Sequence, residues 1–214
     1  MDDAIKRPVL AYHLILSAYG FWLPNDPRGS WSRLVHNPNL VEFGDATKVN
    51  THESVAHVAH DRKKRFAAKK ALTYPPVIFN GLQARAVARG FGKYVEKSGV
   101  TVWACAIMPD HAHLVIARHH YDIETIGNLL KGEATKQLRE EKRHPFESHA
   151  KKDGTVPPCF ARKWWSVFIS TEEHIEVSIR YAEQNPTKAG LKSQVGMWPF
   201  VVPYPRRYGE AENA

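Results

Sequence analysis

Two histidines one residue apart, His111 and His113, form the first pair in this sequence whose types and spacing could do chemistry. They open the run HAHLVIAR (111–118), which has the composition of a β-strand, and a side-chain period of two sends both imidazoles to one face. Two imidazoles a pleat apart can share one cation. The same spacing also arises by chance in a chain with 12 histidines, as a structural or merely exposed pair. A second constellation, Tyr181 and Asn185, stands at i and i+4 of a helical run and so presents a phenol and an amide on one helix face. A cation held by two imidazoles and a neutral amide oxygen keeps open positions for substrate oxygens. That suits Mg²⁺ or Mn²⁺ acting as a Lewis acid on a phosphoryl group, with the phenol available as nucleophile. Each half also has an ordinary reading, because an aromatic on a helix is commonly core and an Asn before Pro186 commonly ends the helix.

The elements that must position these residues can be read along the chain. Val9 to Tyr19 is apolar and β-rich enough for a central strand, followed by a Gly/Pro/Asp-rich loop from Gly20 to Ser30. His52 to Leu72 reads as a helix carrying Arg62, Lys63, Lys64, Arg65, Lys69 and Lys70, either a solvated face or a phosphate-contacting patch. Pro75-Pro76 stops it, and a second helix runs from about Asn80 to Lys97, closed by Gly99. Val100 to Ile107 and His111 to Arg118 are expected to be strands joined in a hairpin at Met108-Pro109-Asp110. Residues 121–142 form a third helix whose two internal glycines favour a bend, and 143–158 a loop. Phe160 to Ile169 is the expected last strand. A fourth helix begins at Ser170-Thr171, with Ser170 and Glu173 at capping-box spacing, and runs to about Asn185. The Pro- and aromatic-rich tail (WPFVVPYP) is expected to be extended and packed on the domain. This order describes an α+β domain, an antiparallel sheet covered by helices.

Composition narrows the partner. The 214 residues are 43% hydrophobic and 24% charged, which is globular, and 30 Lys+Arg against 22 Asp+Glu give +8, which favours a polyanionic partner. No run approaches the roughly 18 apolar residues of a membrane span, and the acidic start Met1-Asp2-Asp3 is unlike a signal peptide, so the expected location is cytosolic. Cys105 and Cys159 lie far apart, outside any CxxC spacing, and read as buried free thiols.

Three strings together carry a resemblance. They are Ala11-Tyr-His-Leu with the later Tyr-Gly-Phe-Trp-Leu-Pro-Asn-Asp-Pro-Arg-Gly29, then Ala106-Ile-Met-Pro-Asp-His-Ala-His-Leu-Val-Ile116, and Tyr181-Ala-Glu-Gln-Asn-Pro-Thr-Lys-Ala-Gly-Leu191. In this order, spread from residue 11 to 191, they resemble REP-associated tyrosine transposases, single-tyrosine members of the HUH (histidine–hydrophobic–histidine) superfamily. The resemblance implies a ferredoxin-like or RRM-like HUH nuclease core, here a single domain over 1–214 with an inserted segment at about 20–78 and an extended tail at about 192–214. It implies His111, His113 and Asn185 as ligands of Mg²⁺ or Mn²⁺, and Tyr181 as the nucleophile that becomes joined to a 5′ phosphate of hairpin-bearing single-stranded DNA. A phenol, with an ordinary pKa near 10, needs the scissile phosphate polarised.

Beside these stand candidate DNA contacts: the six cations of residues 62–70, then Lys188, and Arg162, Lys163 and Trp164, a basic segment with an aromatic that could hold a backbone and stack a base. Trp164 and Trp165 must face opposite sides of a strand, so at most one of them meets DNA. Asp110 departs from the Asn found in many relatives, and Ala112 is smaller than the usual residue between the histidines; neither removes a ligand. The expected activity is cutting and rejoining of DNA by a monomer or homodimer, with no membrane partner. The alternatives are a non-catalytic hairpin DNA or RNA binder derived from such an enzyme, and a zinc hydrolase using the histidines.

Overall fold

The computed structural model describes residues 8–21, 23–24, 38–44 and 61–205, and the helix expected from residue 52 falls outside them as far as residue 60. The strands are β1 (Ala11–Ser17), β2 (Val102–Ile107), β3 (His111–Ala117) and β4 (Trp165–Ile169), and the helices α1 (Arg62–Lys70), α2 (Gly81–Ser98), α3 (Ile123–Glu140) and α4 (Glu172–Lys188). All adjacent strands pair antiparallel in the order β2-β3-β1-β4. With α2 connecting β1 to β2 and α3 connecting β3 to β4, this is the split βαββαβ arrangement of ferredoxin-like folds. The expected α+β sheet covered by helices is therefore the observed one.

Alternation along β1 sorts the two faces. Tyr12, Leu14 and Leu16 point to one side, where they join Leu114 and Ile116 of β3, Val87 and Phe91 of α2, and Ile126 and Leu130 of α3 in the main core. Ala11 points to the other side, with Ala104, Val115 and Ile169, and Ile175 and Ala182 of α4 cover it. One face thus carries two helices and the other one. The tail lies along β2, where Val202 N–H donates to the Val102 carbonyl at 2.9 Å and Tyr204 stacks edge-on against Trp103.

Several boundaries follow the sequence signals. Asn80 caps α2 through a reciprocal capping box with Gln83, and Gly99 ends it at φ 70. The hairpin closes where Met108 N–H donates to the His111 carbonyl at 2.8 Å.

Four details correct the sequence reading. The α3 helix runs unbroken through Gly127 and Gly132, and Gly127 is where the Trp164 indole packs, since a Cβ there would lie 2.8 Å from the ring. The last strand is interrupted: Ala18 bridges Phe160 while Ile15 pairs with Trp165, so five steps on one side face three on the other and Arg162–Trp164 bulge out. Thr171, not Ser170, caps α4, its hydroxyl accepting from His174 N–H at 3.2 Å. The helix also passes Pro186 and ends at Lys188. The Pro sits in the final turn, where it forfeits one bond, and Ala189 N–H closes that turn onto the Asn185 carbonyl at 3.1 Å.

Candidate active site

Strand parity places His111 and His113 on the face covered by α4, and it places His13 of β1 there too. His13 and His113 are 7% and 3% exposed, which makes them the polar centre of an otherwise apolar layer. His13 Nε2 lies 3.0 Å from His113 Nδ1, and His113 Nε2 lies 3.0 Å from His111 Nε2. His111 Nδ1 in turn lies 2.7 Å from Asp110 Oδ1. The chain Asp110–His111–His113–His13 is thus continuous across two strands.

The proton positions along this chain are constrained by its ends. A carboxylate only accepts, so His111 donates from Nδ1, and in the neutral ring its Nε2 is a lone pair. His113 then has two arrangements. In one it donates from Nε2 to His111 and accepts from His13. In the other it donates from Nδ1 to His13, and two Nε2 lone pairs face each other across 3.0 Å. In that second arrangement His111 and His113 would hold a cation between their two Nε2 lone pairs, which would relieve their mutual repulsion. Directly across from His111 in the register, Ser17 Oγ is buried with no hydrogen-bond partner among the described residues. The imidazole nitrogens are borderline donors and this orphaned hydroxyl a hard one, a mixed nitrogen and oxygen set that fits a divalent cation.

Burial favours the neutral form of the His13 and His113 imidazoles. It pulls the His13 pKa down to about 4, with His174 adding a smaller push, and holds His113 well below the usual histidine range, helped by His111 and His13.

Tyr181 comes from α4 across the sheet. Its ring meets those of His113 and His13 edge-on, with centroids 5.5 and 5.8 Å apart, yet it is 49% exposed. A phenol beside the imidazoles and open to solvent can meet an incoming substrate. Asn185 is one turn further along, and its Nδ2 donates to the Tyr181 carbonyl at 2.8 Å. With Nδ2 so engaged, the amide oxygen is the end of Asn185 that could hold a cation. Among the described residues no three His, Cys, Asp or Glu side chains form a metal-binding group.

The remaining sequence candidates are dispersed. All six cations of residues 62–70 lie on α1, which packs through Ala68 against Leu23 and Leu40. Arg162 and Lys163 are exposed on the bulge and Lys188 at the end of α4. Trp164 is a packing residue rather than an open stacking platform, since it fills the space at Gly127 with the Lys131 ammonium 4.2 Å from its ring centroid. Lys131 also donates to the carbonyls of Ala161 and Arg162 at 3.2 and 3.1 Å, which fastens the bulge to α3. The residue that sequence reasoning missed is His13. Its signal was present, an ionisable side chain in the middle of a central strand.

The family model for IS200-like transposases matches residues 73–185, over half of the chain and all of β2, β3 and Tyr181. This chain belongs to the IS200-like transposase family. Among solved structures, the transposase is similar to a REP-associated tyrosine transposase bound to a REP hairpin, at 12% identity over 89% of this chain and 74% of that one, with a TM-score of 0.44. It is also similar to a presumed transposase from Deinococcus radiodurans, at 12% identity over 83% and 91%, with a TM-score of 0.37. No curated protein matches it in sequence. Both cysteines of the transposase are buried free thiols, and among the described residues no helix is long and apolar enough to cross a membrane.

Proposed function

We propose that this transposase cuts and rejoins single-stranded, hairpin-bearing DNA through a covalent 5′-phosphotyrosine on Tyr181, with a divalent cation, Mg²⁺ or Mn²⁺, held by His111, His113 and Asn185. The observation that carries this reading is the half-exposed Tyr181 ring set against His113, whose Nε2 faces that of His111 at 3.0 Å. The cation, when bound, supplies Lewis-acid polarisation of the scissile phosphate.

In the forward step the Tyr181 Oη–P bond forms and the P–O3′ bond breaks. The phenolic proton is the one the departing 3′ oxygen finally carries, so no water and no external energy source is consumed. The phosphodiester energy is kept in the phosphotyrosine, and attack by another 3′ hydroxyl rejoins the strand. Asp110 holds the His111 ring in the tautomer that exposes Nε2, and His13 does the same for His113 by accepting from its Nδ1. Around this centre, the exposed cations of α1, with Arg162, Lys163 and Lys188, supply positive surface for the strand's phosphates.

The test is incubation with labelled hairpin oligonucleotides from repeats flanking the gene, with Mn²⁺ or Mg²⁺, followed by denaturing electrophoresis. The expected result is a shifted band that a chelator and Tyr181→Phe both abolish, while binding persists. Tight binding with no adduct under any cation would replace the proposal with a non-catalytic hairpin binder.

A further inference from the structure

The side chains of α1 do more than spread charge. Arg65, Phe66 and Lys69 form one wall of a cavity of about 330 Å³, whose other walls include Phe21, Ile78 and Asp110. That volume is at the small end of ligand sites and holds one flat ring system with room to spare.

The lining is unusual for a packing defect. Phe66 and Ile78 are 50% and 60% exposed, so two large apolar side chains stand at a mouth that the solvent reaches. The Arg65 guanidinium lies 5.6 Å from the Phe66 ring centroid, and neither Arg65 nor Lys69 makes an ion pair among the described residues. An exposed aromatic flanked by two cations matches an unpaired base attached to phosphates, with the π-face for the ring and the cations for the backbone.

The cavity also adjoins the active site. Phe21 at its back is 5.1 Å, centroid to centroid, from the His111 ring, and Asp110 both lines the cavity and holds His111. Its shape depends on a tight turn: Gly20 sits at φ 80, and a Cβ there would lie 2.9 Å from Pro76 Cβ. Gly20, Phe21 and all of α1 lie outside residues 73–185, so this wall is supplied by segments beyond the family match.

We infer that this cavity is a nucleobase subsite, taking one unpaired base of the substrate strand near the scissile phosphate, stacked on Phe66 with its phosphates on Arg65 and Lys69. The inference rests on the single-strand reading above. The subsite would fix which phosphate reaches Tyr181 by anchoring a neighbouring nucleotide.

The test measures binding on the full-length Tyr181→Phe protein, so that chemistry does not enter. Hairpin oligonucleotides from the flanking repeats each carry one abasic position, stepped along the single-stranded stretch. One position is expected to lose about 5- to 140-fold in affinity, the range of a lost base–aromatic stack. In Phe66→Ala on the same background that abasic penalty should shrink to under about 2-fold, and Phe66→Trp should restore it. Lys69→Ala should weaken all oligonucleotides alike and flatten the salt dependence. Identical abasic profiles in the parent and Phe66→Ala would overturn the subsite even if the wild-type protein forms its adduct. A Phe66-dependent penalty without any adduct in the wild type would instead overturn strand transfer and keep the subsite. Failure to bind any of the oligonucleotides would overturn both.

Discussion

The two faces of the sheet are built from the same strands and do opposite things. On the face toward α2 and α3, β1 and β3 contribute Tyr12, Leu14, Leu16, Leu114 and Ile116, all buried and apolar. On the face toward α4 the intervening residues include His13, Ser17, His111 and His113, three of them buried. A single alternation thus separates a wholly apolar layer from one whose apolar surround holds His13, His113 and Ser17 buried in a fixed geometry. The polar layer is covered by one helix rather than two, and that helix brings Tyr181.

The contrast predicts that substitutions one residue apart on a strand have different consequences. The largest effect is expected at His113→Gln, which keeps most of the buried volume and a hydrogen-bonding end but not the imidazole, and should lower adduct formation on the order of 10³-fold while the thermal transition moves little. A comparable loss of folding stability would merge the two faces and remove the distinction. Its neighbour in kind, Leu14→Ala, empties a fully buried site and should cost about 2–5 kcal/mol in chemical denaturation. The residual folded fraction should form adduct at a nearly unchanged rate.

A smaller effect is expected from pH. His13 is folded with its pKa near 4 and unfolded near 6.5, so the unfolded chain takes up protons first as pH falls. The stability tied to this neutral imidazole is complete above about pH 6.5 and declines toward pH 4. Chelator-treated protein should lose about 1–3 kcal/mol across that window. His13→Gln, which does not ionise, should flatten the decline; an unchanged slope would show that His13 is not where the proton uptake resides.

Much of this contrast was legible in the sequence. The His111–His113 spacing, Tyr181 and Asn185 at i and i+4, the Asn80 and Gly99 boundaries and the hairpin turn are local signals, and the local structure obeys them. What was not legible depends on contacts distant in sequence. His13 meets His113 only because β1 and β3 pair, 100 positions apart. Trp164 was read as half of an alternating strand, but Lys131 and Gly127 of α3 draw it into a bulge. The extension of α4 past Pro186 reflects the burial of that ring, which outweighs one lost hydrogen bond.

The central claim is that the phenol on α4, and no other nucleophile, attacks the phosphate beside the histidines. The most direct measurement is mass spectrometry of nuclease-trimmed, protease-digested adduct. The account predicts a nucleotide mass on the peptide containing Tyr181 and a free 3′ hydroxyl on the released strand. Attachment at another residue, or released 5′ phosphate with no protein-bound nucleotide, would contradict it.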